Sequence, residues 1–131
     1  MFEALEAWIV GPDVWPVADH EFREGRRDYP RNLVGGYHAT RLPVLEYLRR
    51  QGRQAGAIVF LEVLPHWIPL GVWRFREIAR RALGREPFRS STIDEALEEL
   101  SSHLHLPLER WLSRTRILDF HLRQMRLDAF T

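Results

Sequence analysis

The spacing of apolar and polar positions divides the 131 residues into a few short extended segments and several helices. Residues 2–10, FEALEAWIV, do not alternate cleanly. Trp8-Ile9-Val10 favours extended backbone and Gly11-Pro12 stops it, so a strand is expected there. Residues 11–34 are polar and rich in Arg, Asp and Pro, with scattered aromatics (Trp15, Phe22, Tyr29). They read as one long loop, and long loops in compact domains are functional or disordered. Gly35-Gly36 opens a helix through about Arg50, with Leu42, Val44, Leu45, Tyr47 and Leu48 on its apolar face and Gly52 ending it. Residues 55–64, AGAIVFLEVL, form the best strand of the chain. It is apolar on both faces, which predicts a central position in the sheet.

Pro65 and Pro69 end that strand. A second helix is expected from about Leu70 to Leu83, with Val72, Phe75, Ile78, Ala79 and Ala82 inward, arginines on the polar side and Gly84 closing it. Ser91-Thr92 ahead of Asp94-Glu95 is an N-cap signature for a short helix over 93–103. Pro107 starts a last helix carrying Trp111, Leu112, Ile117, Leu118 and Leu122. The expected fold is α+β, mostly helical with a small β-sheet. Residues 1–123 make a single domain and 124–131 a C-terminal tail.

Composition narrows the chemistry. The chain has no cysteine, which removes disulfides and thiolate metal sites. The N-terminus lacks a basic stretch, and the longest apolar run is interrupted by Glu62, so neither a secretory signal nor a membrane span is expected. This makes the cytoplasm the expected compartment. Net charge is +1, so any nucleic-acid site must be local. All 19 basic residues are arginine. A GC-rich or thermophilic genome explains that, and so does a need for the planar fork that grips phosphate and carboxylate.

Four stretches could carry chemistry. In GGYHATR, two glycines at a helix start leave backbone N–H groups at the positive end of the dipole, an anion site to which Arg41 could add a bidentate grip. Gly35, Gly36, Tyr37 and Arg41, with Arg76 near them, are therefore the candidates for holding phosphate or nucleic acid. The plainer alternative is a tight helix start with Arg41 paired to a carboxylate. Glu62 lies inside an apolar strand and must be paired or shifted in pKa. It is either a general acid/base or half of an ion pair with an arginine such as Arg41 or Arg76. PHWIPLGVWRFRE, 65–77, sets tryptophans beside arginines as a stacking platform or as a packed corner. His103 and His105 have no third ligand marked, and no metal or cofactor is expected.

The chain ends QMRLDAFT. Gln124, Leu127 and Phe130 are spaced three apart, as in the motif by which proteins dock on the DNA sliding clamp, PCNA. In a 3₁₀ turn residues three apart eclipse, so Leu127 and Phe130 become a two-pronged apolar plug while the Gln124 amide fixes the start of the segment. Thr131 stands where the fuller motif has a second aromatic. The alternative is the last turn of a helix whose stripe Trp111, Leu118, Leu122 and Met125 continues inward.

GGYHATRLPVLEYL, RQAGAIVFLEV and PLGVWRFREIARRAL, preceded by EALEAW and GPDVW, resemble the C-terminal part of the archaeal DNA-repair protein Nre family. That family also ends in a clamp-binding motif. The resemblance covers about residues 4–83 and the tail. It implies a role in repair of DNA damage with PCNA as partner through Gln124, Leu127 and Phe130, with DNA as a second partner and a location at the nucleoid. It assigns no catalytic residue. Family members are much longer and carry a cysteine-bearing, zinc-finger-like segment near their N-terminus. Without cysteine, zinc binding is not carried over, and a separate N-terminal subunit becomes a further expected partner. Three readings follow: a clamp-associated repair factor, an enzyme on a nucleotide or modified DNA with Glu62 as acid/base, and a non-catalytic subunit. The enzyme reading requires a pocket joining Gly36, Arg41 and Glu62.

Overall fold

A computed structural model describes residues 1–66 and 71–129. The expected start of the second helix at Leu70, Trp67 of the tryptophan–arginine stretch, and Phe130 of the tail lie outside the described residues.

The fold is α+β. Strand β1 (Phe2–Trp8) runs antiparallel to β2 (Val17–Glu21) and parallel to β3 (Ala57–Val63), giving the order β2-β1-β3. Helix α1 (Gly35–Gln51) crosses between the parallel strands, and α2 (Trp73–Leu83) packs on it. Helices α3 (Ile93–Ser101), α4 (Leu108–Leu112) and α5 (Ile117–Asp128) follow.

Each face of the sheet has its own core. Phe2 and Ala4 of β1 and Leu61 and Val63 of β3 point toward α1 and α2, against Tyr37, Val44 and Phe75. The alternate residues Leu5 and Ala7, with Ile58 and Phe60, point the other way, against Leu106 and Trp111. The Trp111 ring is fully buried and meets Phe60 edge to face at 5.5 Å.

Three expectations need correction. The 55–64 segment is an edge strand among the described residues, and β1 is central. β1 is buried on both faces, so it has no alternation to display, and Glu3 and Glu6 disguise it as polar. The loop expected over 11–34 contains β2. Its sequence, VADHE, is polar because it lies at the edge and because Asp19 is spent on the chain that follows. The last helix is two, since the chain turns at Ser113–Arg116 before α5. The N-cap over Ser91-Thr92 is present: the Thr92 hydroxyl accepts the Glu95 N–H at 3.2 Å.

Candidate functional site

The start of α1 is assembled by β2. Buried Asp19 accepts the backbone N–H groups of Arg31, Asn32 and Leu33 at 3.3, 2.9 and 2.7 Å, which fixes the approach to the helix. Val34 then takes a positive φ of 52°, an outlier for a β-branched residue. The N–H groups of Gly36 and Tyr37 donate to Leu33 O and Val34 O at 3.0 and 3.3 Å. Gly35 is pressed against Val72 at the head of α2, where an added Cβ would meet a methyl at 3.1 Å.

An acid already stands at this helix start. A Cβ on Gly36 would lie 3.5 Å from Glu6 Oε2, at the carboxyl end of β1. The Trp8 indole N–H donates to the other Glu6 oxygen. Burial raises the Glu6 carboxyl above its usual range, and the indole bond only partly opposes that. Sequence alone does not single out Glu6. Its signal, a charge within FEALEAW, is hidden by the mixed character of that segment.

Arg41 is engaged elsewhere. Its Nε donates to Glu21 Oε1 at 2.8 Å, and the Tyr37 hydroxyl donates to Glu21 Oε2 at 3.1 Å. Burial first, and then the Glu21 charge, drive the Tyr37 phenol well above its ordinary value. The Arg26 guanidinium lies 5.3 Å from the Tyr37 ring centroid. Arg76 does not join this group. It sits by Glu77, next to an exposed bridge from Arg80 to Glu77 within α2 and one from Arg80 to Glu46 that ties α2 to α1.

Glu62 belongs to the other face. It shares that face with Ile58 and Phe60, whereas Gly36, Tyr37 and Arg41 are on α1 across the sheet. Its oxygens accept His105 N–H at 2.8 Å, Leu106 N–H at 3.0 Å and His105 Nδ1 at 2.7 Å. The expected arginine partner is therefore replaced by a backbone turn and a histidine 43 residues away, a distance in sequence that hides the pairing. The pocket joining Gly36, Arg41 and Glu62 is not formed. His103 bonds Glu99 at 3.2 Å, and among the described residues no three acids or histidines converge as metal ligands.

The C-terminal tail begins as helix. Gln124 and Leu127 are in α5, both exposed, and Leu127 keeps 69% of its surface in water. Residues three apart on an α-helix lie within about 60° of each other, so the two share a side. The inward stripe expected of a helix end does not hold, because Leu122 and Met125 are exposed as well. Among the described residues, no helix is long and apolar enough to cross a membrane.

The family described as "Archaeal Nre, C-terminal" matches residues 21–130. The chain is 46% identical over 106 residues to a "DNA repair protein NreA" of Archaeoglobus fulgidus, covering 76% of this chain and 27% of that protein. It is 38% identical over 116 residues to a "DNA repair protein NreA" of Haloferax volcanii, covering 82% and 28%. A "DNA repair protein NreB" of Archaeoglobus fulgidus is 36% identical over 126 residues, covering 89% and 32%. The chain thus spans about a third or less of the length of these relatives. No solved structure matches it. The resemblance seen in GGYHATRLPVLEYL and its neighbours is therefore one of descent, and the chain belongs to the archaeal Nre family, in its C-terminal region.

Proposed function

We propose that the chain serves the repair of DNA damage and docks on the PCNA sliding clamp through Gln124, Leu127 and Phe130. The observation that carries this reading is the exposure of Leu127, an apolar side chain that contributes little to the fold where it stands. Docking in a 3₁₀ turn requires the last turn of α5 to rewind, and ends of helices open at low cost. The names of the relatives support repair as the process. The cytoplasm, at the nucleoid, is the corresponding location.

Calorimetry of the chain against its host's clamp tests the docking. Micromolar or tighter binding that disappears in the Leu127→Ala/Phe130→Ala variant is the expected result. Binding that survives the double substitution, or no binding by the unaltered chain, overturns it.

Binding of a DNA or nucleotide phosphate at Gly35, Gly36, Tyr37 and Arg41 is a second part of the proposal. It requires Glu6 to be protonated and Arg41 to exchange Glu21 for the ligand. The raised Glu6 pKa favours the first condition, and the Glu21 pair opposes the second. An enzymatic role for Glu62 has no comparable support, since its carboxylate is consumed by the 105–106 turn.

A further inference from the structure

A cavity of about 730 Å³ opens at the opposite end of α1 from Gly35. It is lined by Arg23, Arg49 and Arg53, by the apolar Met1, Leu45 and Leu48, and by no acidic residue. The three arginines come from two regions of the chain. Arg23 follows β2, and Arg49 lies in the last turn of α1. Gly52, at φ 61°, turns the chain back so that the Arg53 N–H reaches Leu48 O at 3.0 Å. Attraction to the negative end of the α1 dipole accounts for Arg49. It does not account for Arg23, which lies in the turn after β2. None of the three forms an ion pair with a carboxylate among the described residues.

A second cavity, of about 260 Å³, shares Met1 and Arg23 with the first. It is lined by Phe22 and Phe120, whose ring centroids are 5.2 Å apart, and by Gln124. Glu24 also lines it, so phosphate is favoured only at the arginine end. Arginines with no ion pair among the described residues stand here beside an exposed ring, Phe120, backed by the half-buried Phe22. That is the combination that holds single strands: guanidinium groups track the backbone while bases stack on a ring. An acidic peptide would use the arginines but has no need of the rings.

We propose that the two cavities form one groove for single-stranded nucleic acid, with Arg23, Arg49 and Arg53 on the phosphates and a base stacked on Phe120, which Phe22 supports from beneath. Gln124, where the proposed clamp-docking segment begins, lines the groove. The choice of DNA as the strand rests on the repair reading.

The test is fluorescence anisotropy of a labelled oligothymidylate of roughly ten nucleotides, titrated with the intact chain at several salt concentrations. Arg49→Gln/Arg53→Gln is expected to weaken binding at least about ten-fold and to lower the salt slope by about 0.7 for each phosphate that no longer meets an arginine. Phe120→Ala is expected to weaken it roughly ten-fold with the slope unchanged. Arg81→Gln/Arg85→Gln removes the same charge from exposed positions on and after α2 and is expected to change little. All of these side chains are exposed, so circular dichroism should remain native, and Arg53→Gln alone provides a milder variant.

No binding by the unaltered chain overturns the proposal. So does an equal loss in the α2 control, which would mark diffuse attraction. Equal displacement by oligoglutamate of matched charge overturns the nucleic-acid assignment, and equal binding of a duplex without dependence on Phe120 overturns the single-strand assignment. Clamp docking is measured separately, so it can stand while this groove fails.

Discussion

Glu3 Oε1 accepts the backbone N–H of Arg116 at 2.7 Å, across 113 residues of chain. Its other oxygen accepts the Ile117 N–H at 3.2 Å. Glu3 is fully buried in the central strand, and its oxygens satisfy N–H groups at the start of α5 that no N-cap side chain reaches. Glu62 repeats the device one strand over, on the same face, by holding the 105–106 turn ahead of α4. Two carboxylates thus attach the C-terminal helices to the sheet. Glu3→Ala leaves the Arg116 and Ile117 donors without a partner and should cost about 1–3 kcal/mol. Glu3→Gln keeps one acceptor and should cost less. Urea denaturation of the two variants gives the order.

The pH dependence follows from Glu3 and Glu6. Burial raises both carboxyls above the usual 4.5. For an acid raised on folding, the native state binds the proton more tightly than the unfolded chain. Its stabilising contribution is then present below 4.5 and is lost as pH rises through the native pKa. This is the reverse of the ion-paired carboxylates that drive acid unfolding. Melting temperatures of the unaltered chain and of Glu6→Gln, taken from about pH 4 to 7, should diverge in favour of the variant as pH rises. Parallel curves would show that the Glu6 carboxyl is not raised.

At Glu62 the backbone bonds, not the imidazole, should carry the stability. The His105 side chain is 58% exposed against 9% for Glu62. His105→Ala removes one solvent-screened contact and should cost less than about 1 kcal/mol. Glu62→Ala also strands the His105 and Leu106 N–H groups and should cost about 1–3 kcal/mol. Chemical denaturation of both tests this, and equal losses would assign the clamp to the ring.

Helices are legible in the sequence because their signals are local. Gly52 and the Thr92 cap mark ends that chain neighbours determine, and Gly35-Gly36 marks a start that Asp19 of β2 then fixes from a distance. The sheet is harder to read, because its order depends on partners far along the chain. β1 hides its central place behind glutamates, one of which has its partners in backbone groups at 116–117, invisible to any pattern of side chains. Burial chemistry shows that Glu62 needs a partner but names none, and arginine is the wrong one. The glycines that suggest an anion site at Gly35-Gly36 are used by the fold for close packing against Val72 and Glu6. The arginine groove escapes a reading of the sequence because Arg23, Arg49 and Arg53 meet only once β2 has formed and α1 has ended.

Whether Arg41 is free to grip a ligand is decided by its coupling to Glu21. The pair is half-buried, with a 2.8 Å bond, and Glu21 also accepts from the Tyr37 hydroxyl. Groups that share a network of this kind couple by about 0.5–3 kcal/mol. A double-mutant cycle of Glu21→Gln and Arg41→Gln, read by denaturation, should therefore give a coupling of about 1–2 kcal/mol. A ligand phosphate would have to compete with that energy before it gained the guanidinium. Coupling near zero would mean that Arg41 leaves Glu21 without cost, and the start of α1 would regain its standing as a phosphate site. Strong coupling makes Glu21→Gln the informative variant: it should lower stability while releasing Arg41, so that inorganic phosphate binds the variant more tightly than the unaltered chain.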